Sequence, residues 1–447
     1  MRRCVGSAGS DSFDIRALVA NAGCGLRAWP GPAQSCGVPT APRSVLIVSR
    51  TFPPDPAAVG QLVAELAREL AARGWRVGVA TTSPAGGRDE SIPGVEVSRV
   101  PGSFTFTRES TRKRALSYLG IYPALLRAAG RLPGRWDLVV TTSDPPLQVL
   151  LGPLLRATKG GRLIQWSQDL YPELAEELEV LARAGPAARV LRGLSTWGLE
   201  QCDLVVVPGR CMADRMRERG LPAERIRVVP NWSDPSRVQP IDRASNPFRR
   251  HHGLADDAFV VMYSGNFGLA HSFDEMLDAA DRLRTDRPEI VFLLVGDGPR
   301  LEDVRAEAAR RGLSNLRFLP LQPRERLAES LSAADLHLVT MPDRLSGLVV
   351  PSKFYGVLAA GRPCVFVGPP ASEVALVVGE SGVGVVTAAG DADALTNAIV
   401  EFASDSARWV KAGAIARTLS AEYSVAASAD KFLAAWGIEP RVPGEPD

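Results

Sequence analysis

The chain has 447 residues, of which 45% are hydrophobic and 23% are charged, and its formal net charge is +2. A chain of this length exceeds what one hydrophobic core usually organises, so we expect two domains of ordinary globular composition. The small net charge excludes a general affinity for nucleic acid or for acidic substrates, and any basic surface must be local.

Cysteine and histidine usage argues against a metal protein. The six cysteines form no C-x-x-C pair and show no zinc-ligand spacing, and four histidines are too few for a multi-histidine site. We therefore expect no bound metal and no cofactor, in a protein of the reducing cytosol. No segment reaches the roughly 18 apolar residues that a spanning helix needs, so no such helix is predicted.

Residues 1–42 mix small residues, proline and cysteine without a sustained apolar period. Charged residues interrupt the one apolar run, which excludes a signal peptide of ordinary form. We interpret residues 1–42 as a disordered N-terminal extension.

Residues 43–235 show apolar strands that alternate with helical patterns. SVLIVS at 44–49 precedes a helical stretch at 61–74 and a second strand, which together form a β-α-β unit with parallel strands. Further strands are predicted at 95–101, 137–143, 162–169, 203–209 and 226–232. The pattern predicts a doubly wound α/β domain.

Residues 246–415 repeat the alternation and predict a second doubly wound domain. Its strands are predicted at 259–265, 291–298, 316–320, 335–340 and 363–368. Residues 416–447 predict a C-terminal helix that packs back on the first domain, followed by a polar tail. Two such domains leave a cleft between the carboxyl ends of their sheets, where α/β proteins bind ligands.

Glycine-containing loops follow the first strand of each predicted domain. Gly60 stands at a helix start, and Gly265, Asn266 and Gly268 follow the strand 259–265, with His271 near the next helix. Such loops let the main chain approach a ligand closely and present free N–H groups. Plain strand-to-helix turns are the alternative interpretation.

The segment PSKFYGVLAAGRP (351–363) predicts a further helix N-terminus at the same edge. Pro351 suits a first turn, Ser352 offers a capping hydroxyl, and Gly361 marks the helix end. Lys353 would add a full charge to the partial positive charge of the N-terminus, which suits a phosphate. A capped helix with an exposed lysine is the alternative. Taken with the glycine loops, the segment predicts a diphosphate-binding edge.

These residues carry a resemblance to bacterial retaining glycosyltransferases of the GT-B fold (family 4-like), in particular to enzymes of colanic acid and O-antigen assembly. The matching motifs stand in the family's order over about residues 43–435: FPPDPAAVGQLVAELARELAARGWRVGVATT, QDLYPE, GRCMADRM, RIRVVPNWSD, NPFRRHHGL, YSGNFGLAHSFDEML, VGDGP and VVPSKFYGVLAAGRP.

The resemblance implies transfer of a sugar, with retention, from a nucleotide-diphosphate sugar to a lipid-linked or growing glycan of an exopolysaccharide, O-antigen or cell-envelope polysaccharide. A UDP-linked donor is expected. The implied donor-binding residues are Gly60, Gly265, Asn266, Gly268, His271, Ser352 and Lys353.

Four positions depart from the family's pattern. Many relatives carry a glutamate pair whose second member contacts the donor ribose, and Leu348 and Gly356 stand in those places here. Many also hold the diphosphate with an arginine and a lysine where this chain has Asn266 and His271. Lys353 is then the nearest remaining cation, and a lysine can bind phosphate as a point charge.

Two carboxylates at strand ends of the first domain are candidates for the acceptor side. Asp144 follows the strand 137–143, where some relatives have a histidine, and Asp169 ends the strand 162–169. A carboxylate in the cleft could orient the acceptor hydroxyl, accept its proton or stabilise positive charge at the anomeric carbon. A helix cap is the alternative role for each.

The segment 101–135 concentrates basic residues. Seven lie between Arg108 and Arg135 against one acid, Glu109, and aromatic and leucine residues such as Tyr122 and Leu125 are interleaved with them. Basic amphipathic stretches bind anionic membranes, which predicts a peripheral protein at the inner face of the plasma membrane. A solvated basic helix over a core is the alternative, and nucleic-acid binding is disfavoured because no reading motif is present.

The sequence is also compatible with two other functions. A non-hydrolysing nucleotide-sugar epimerase also has two such domains, although it would need more acidic and histidine residues facing the cleft. A nucleotide-sugar-binding scaffold without activity is suggested by the missing glutamates.

Overall fold

The structure is a computed structural model that describes residues 43–55, 57–83, 91–101, 111–234, 237–268 and 272–438, with only the main chain described for 111–119. The predictions for residues 1–42 and for the tail beyond Ile438 lie outside the described residues. The described part forms two α/β domains, each built on one parallel sheet, which confirms the predicted fold class.

The first domain carries a sheet of seven strands in the order β3-β2-β1-β4-β5-β6-β7. Strands β1 (SVLIV) and β6 (LVVV) are almost entirely Val, Leu and Ile, as is typical of parallel strands with helices on both faces, and β1 is buried along nearly its whole length. The strands are β1 Ser44–Val48, β2 Arg76–Ser83, β3 Val95–Pro101, β4 Leu138–Thr142, β5 Arg162–Trp166, β6 Leu204–Val207 and β7 Ile226–Val228.

Six helices of the first domain lie in the described residues and connect these strands. In the first of them, Leu62, Leu66 and Leu70 recur at helical spacing and face the sheet. The helices are α1 Ala58–Ala72, α2 Thr111–Arg131, α3 Gly152–Lys159, α4 Glu173–Glu177, α5 Pro186–Glu200 and α6 Arg210–Glu218.

The second domain carries a sheet of six parallel strands in the order β10-β9-β8-β11-β12-β13. Its last strand was not predicted, because β13 is four residues long and three of them are only half-buried. The strands are β8 Phe259–Ser264, β9 Ile290–Val295, β10 Leu316–Leu319, β11 Leu336–Thr340, β12 Cys364–Val367 and β13 Gly384–Thr387. The helices are α7 Pro247–His251, α8 Asp274–Asp286, α9 Leu301–Arg310, α10 Leu327–Ser332, α11 Lys353–Ala359, α12 Glu373–Ser381, α13 Ala392–Ser404 and α14 Ser406–Glu422.

The final helix, α15 (Val425–Ala435), packs on the first domain. The ring of Phe432 meets Trp166 edge-on at 5.0 Å between centroids, and Trp436 lies 5.8 Å from Trp75. The chain therefore passes between the domains twice, once after β7 and once after α14. The two passages touch, since the N–H of Ser233 donates to the carbonyl of Tyr423 at 3.2 Å.

The described half of α2 corrects part of the membrane prediction. Leu125 is fully buried in the core of the first domain, and the hydroxyl of Tyr122 donates to the carbonyl of Pro146. These two side chains face the protein, so for them the basic helix over a core is the right interpretation. Of the helices that can be described, none combines the length and the apolar character needed to cross a membrane.

Candidate functional site

A cleft of about 760 Å³ lies between the two domains. The first domain contributes the start of α1, the connection between the domains contributes Trp232 and its neighbours, and the second domain contributes the loops that follow β8 and β10 and the segment before α11. The carboxyl ends of the second sheet therefore face the first domain across a space of the size that small-molecule ligands occupy.

Lys353, the first residue of α11, lines this cleft. Its side chain is half-buried, its Nζ donates to the hydroxyl of Tyr263 at 2.7 Å, and the same Nζ lies 4.0 Å from the centre of the Tyr263 ring. Burial lowers the pKa of Lys353 to about 7. In the described ranges no carboxylate forms a salt bridge with this ammonium group. Lys353 is thus a cation that a negatively charged ligand would stabilise.

The loop after β8 lies directly against Lys353. Gly265 has a φ of 145°, and a Cβ built there would be 3.3 Å from Cε and from Nζ of Lys353. Asn266 also lines the cleft, and its carbonyl accepts a hydrogen bond of 2.8 Å from the hydroxyl of Tyr263. Tyr263 therefore links the lysine to the glycine loop, and the predicted residues Gly265, Asn266 and Lys353 come together.

Ser352 lines the cleft but does not cap α11, which corrects the prediction of a capping hydroxyl. Its φ and ψ of −64° and −23° are already helical, whereas a capping residue has an extended backbone that brings its side chain over the first turn. The turn is closed by main-chain bonds from Phe354 to Pro351 and from Tyr355 to Ser352. The hydroxyl is exposed at the cleft.

The remaining predicted donor residues lie elsewhere. Gly60 is buried, and a Cβ there would be 2.8 Å from the carbonyl carbon of Thr51, so its close approach is to the protein's own main chain rather than to the cleft. Gly268 is buried and is not among the residues that line the cleft. His271 falls outside the described residues.

Asp144 forms an ion pair that the sequence did not predict. Nε and Nη2 of Arg50 donate to its two carboxylate oxygens at 2.8 and 2.7 Å. Both side chains are largely buried, with 9% of Arg50 and 18% of Asp144 exposed. Because Arg50 follows β1 and Asp144 follows β4, the pair joins neighbouring strand ends, and a bidentate pair fixes the orientation of the carboxylate.

Asp169 lies beside this pair and has a different environment. It lines a small cavity of about 20 Å³ together with polar side chains that include Ser143, Gln148 and Gln165. Its N–H donates to the hydroxyl of Ser143 at 3.1 Å. Burial, with a smaller contribution from the charge of Asp144, raises the pKa of Asp169 to about 7.

Neither carboxylate caps a helix. Pro172 precedes α4 without a side-chain capping bond, and the turn after Asp144 begins at Leu147, also without one. Neither carboxylate is among the residues that line the cleft. The main chain of Asp169 forms a β-bridge with Val349, which does line the cleft, so this strand end touches the second domain.

Four residues of the site were missed by the sequence analysis: Arg50, Tyr263, Glu65 and Arg324. Arg50 stands directly after a predicted strand, which was a usable signal. Tyr263 lies within a strand, and Glu65 within a helix, where a polar group looks like part of an ordinary pattern. Arg324 lines the cleft opposite Glu65. In the part of the chain that can be described, no three His, Cys, Asp or Glu side chains form a metal-binding group.

Two family profiles match the chain, one on each domain. The profile described as "Glycosyl transferase 4-like domain" matches residues 57–232. The profile described as "Glycosyl transferases group 1" matches residues 258–405.

Curated relatives extend over most of the chain. A protein of Escherichia coli K12 named as a colanic acid biosynthesis glycosyl transferase, WcaI, is 29% identical over 350 residues, covering 74% of this chain and 84% of the relative. The D-inositol 3-phosphate glycosyltransferase of Geodermatophilus obscurus is 31% identical over 370 residues, covering 76% and 78%.

Solved structures share the fold. The Anabaena protein HepE, crystallised with UDP and glucose, superposes with a TM-score of 0.67 at 15% identity, covering 89% of this chain and 99% of HepE. At this identity the likeness concerns the fold, which is the predicted GT-B arrangement of two parallel-sheet domains.

Proposed function

Because the chain belongs to the glycosyltransferase family that joins a 4-like domain to a group 1 domain, we propose that it transfers a sugar from a nucleotide-diphosphate sugar, with retention, to a lipid-linked or growing glycan of a cell-envelope polysaccharide. The names of its relatives support the class of product, since WcaI is named for colanic acid biosynthesis. We propose UDP as the nucleotide, supported by the ligand in the HepE crystals.

One observation carries the donor assignment: Lys353 presents a half-buried cation to the cleft between the domains. A donor diphosphate placed there would interact with the ammonium group, and Gly265 would let its oxygens approach the main chain. When the bond to the anomeric carbon breaks, the electron pair stays on the diphosphate oxygen. A charge at Lys353 stabilises that oxygen more strongly than it stabilises the intact donor.

The first domain supplies the acceptor side in this proposal. Asp144, held by Arg50, would orient the acceptor hydroxyl, and Asp169 would take its proton as the new glycosidic bond forms. The raised pKa of Asp169, about 7, suits a group that accepts a proton near neutral pH.

We also propose that the basic segment around Arg112 attaches the protein to an anionic membrane, where a lipid-linked acceptor would be found. The support is compositional, and it concerns the N-terminal part of the segment, because the part near Leu125 faces the core.

The experiment is incubation with labelled UDP-sugars and a polyprenyl-diphosphate sugar. Label on the lipid supports transfer, and NMR of the new anomeric centre tests retention. An isomerised donor would instead indicate an epimerase, and binding without any product would indicate a scaffold.

A further inference from the structure

Three segments of the chain meet at one side of the cleft. Helix α1 of the first domain brings Gln61 and, one turn later, Glu65, and a turn of the second domain brings Arg324. The guanidinium of Arg324 donates to Oε1 of Gln61, and its Nη2 lies 3.7 Å from Oε1 of Glu65. Both contacts therefore join the domains across the cleft.

Gln61 connects Arg324 to the loop before α1. Its Nε2 donates to the carbonyl of Asp55 at 2.8 Å, so the two ends of one carboxamide bind Arg324 and the loop at the same time. The carboxylate of Asp55 in turn accepts from the N–H of Ala57 at 2.9 Å. This loop begins at Arg50, the partner of Asp144. A side chain of the second domain thus helps to fix the loop that leads to the proposed acceptor carboxylate.

Glu65 is held from within the first domain. Only 9% of its surface is exposed, and its Oε2 accepts from Nε1 of Trp232 at 3.0 Å. Trp232 is itself buried and stacks on Trp166 at 5.7 Å between ring centroids. Burial raises the pKa of Glu65 and lowers the pKa of Arg324, and the charge of each group opposes that shift in the other. The carboxylate of Glu65, held by the buried Trp232, therefore faces Arg324 in a defined position.

We propose that Arg324 and Gln61 are positioning residues of the transfer reaction, because their contact sets the place of the acceptor-side loop relative to the donor held by the second domain. The proposal rests on the proposed function. Reacting atoms must come within about 3–3.5 Å, and a displacement of about 1 Å can reduce the rate about 100-fold. The hydrogen bond between Arg324 and Gln61 forms only in this relative orientation of the two domains. It therefore affects the distance between donor and acceptor rather than the binding of either one.

The test compares Arg324→Gln, Gln61→Ala and the double variant with Arg326→Gln. Arg326 belongs to the same turn, but it pairs with Glu329 inside the second domain at 3.1 Å, so it is a matched control. We expect each single variant to lower kcat about tenfold or more while the Kd for UDP changes less than about twofold. The double variant should be no slower than the slower single one, since both changes remove the same contact.

Other results would overturn the proposal. Additive losses in the double variant would show that the two residues act separately, and a loss confined to the Kd for UDP would make Arg324 a donor-binding residue. Arg324→Lys should retain more turnover than Arg324→Gln, because an ammonium can still donate to Gln61. Equal turnover of these two variants would also contradict it.

A second measurement separates this proposal from the proposed function. Small-angle scattering of the unliganded protein needs no substrate, and Arg324→Gln should enlarge the radius of gyration while Arg326→Gln leaves it unchanged. If parent and variant scatter alike, the contact does not hold the domains and the positioning role falls, whatever reaction the protein catalyses. If the variant opens but the parent transfers no sugar, the proposed function fails and the domain contact stands.

Discussion

Lys353 and Tyr263 are joined by a hydrogen bond of 2.7 Å, and Tyr263 passes it on to the carbonyl of Asn266 at 2.8 Å. A lysine that has a neutral phenol as its partner keeps its charge less readily than one beside a carboxylate. The arrangement places a cation that an anion can still stabilise next to a loop with close main-chain access.

Replacing Lys353 by alanine should weaken the binding of UDP-sugar about 10–100-fold, because a hydrogen bond to a charged group contributes about 1.5–3 kcal/mol. Calorimetry measures the affinity, and Lys411→Ala on the exposed face of α14 is the matched control. The melting temperature should change little. Equal affinity in the Lys353 variant and the parent would restore the plain interpretation of a helix that starts with a lysine.

Binding of UDP-sugar should depend on pH through Lys353. Its pKa of about 7 in the free protein rises when the diphosphate binds, so the complex takes up a proton. The affinity should be flat below pH 7 and fall by up to about tenfold per pH unit above it. Titrations between pH 6 and 9 in buffers of different ionisation enthalpy measure both effects. Lys353→Gln should bind equally across this range, and a slope in that variant would assign the titration to another group.

Asp144→Asn and Asp169→Asn should each reduce turnover about 100-fold, the usual scale for a group that handles a proton or a developing charge. Their effects on stability should be opposite. Asp144→Asn replaces the charged partner of the largely buried Arg50 by a neutral amide, which should lower the free energy of unfolding by about 3 kcal/mol. Asp169→Asn removes a carboxylate whose raised pKa makes the folded state less stable as pH rises from about 4 to about 7. This variant should therefore melt higher than the parent above pH 7.

The roles of the two carboxylates are tested by measuring the turnover of both variants and their melting temperatures between pH 5 and 8. Near-normal turnover in both variants would leave the catalytic carboxylate unassigned. A parent-like pH slope of stability in Asp169→Asn would show that another group causes that slope.

Phe432→Ala in α15 should lower the free energy of unfolding by about 3–5 kcal/mol, because the ring is fully buried against Trp166 and leaves a cavity. The unfolding transition of the first domain, followed by tryptophan fluorescence, should move. Val410→Ala, at an exposed position of α14, is the control and should stay within about 0.5 kcal/mol of the parent. A shift only in the second domain's transition would contradict the packing of α15.

Replacing Arg112, Lys113 and Arg114 by glutamine should release the protein from anionic vesicles, because each basic residue near such a surface contributes about 1 kcal/mol. Sedimentation with vesicles measures binding, and raising the salt concentration should weaken the parent by screening. Replacement of Arg127 and Arg131, on the half of α2 that packs on the core, is the comparison. Equal sedimentation of the triple variant and the parent would count against membrane attachment.

The sequence predicted the sheets because buried parallel strands such as β1 and β8 are continuous apolar runs between turn residues. It missed β13, whose partly exposed residues lack that signal. The position of Lys353 at a helix N-terminus could be predicted from the residues next to it in the sequence. Its partner Tyr263 is 90 positions away, and Arg50 lies 94 positions from Asp144, so these pairs depend on strand order.

The contact of Arg324 with Gln61 depends on more than either sheet. It spans 263 positions and both domains, so the orientation of one domain on the other decides it. No local pattern encodes that orientation, which is why the sequence analysis did not find this side of the cleft.

The return of the chain to the first domain has a consequence for synthesis. The aromatic surface that includes Trp75, Trp166 and Trp232 is synthesised before the second domain, whereas α15, which covers this surface, is synthesised after it. The second domain is an insertion between β7 and α15 in the chain. The apolar face of the nascent first domain therefore stays exposed to solvent until the second domain and α15 have been synthesised. A chimaera that exchanges only the second domain must therefore keep α15 from the parent that supplies β1–β7.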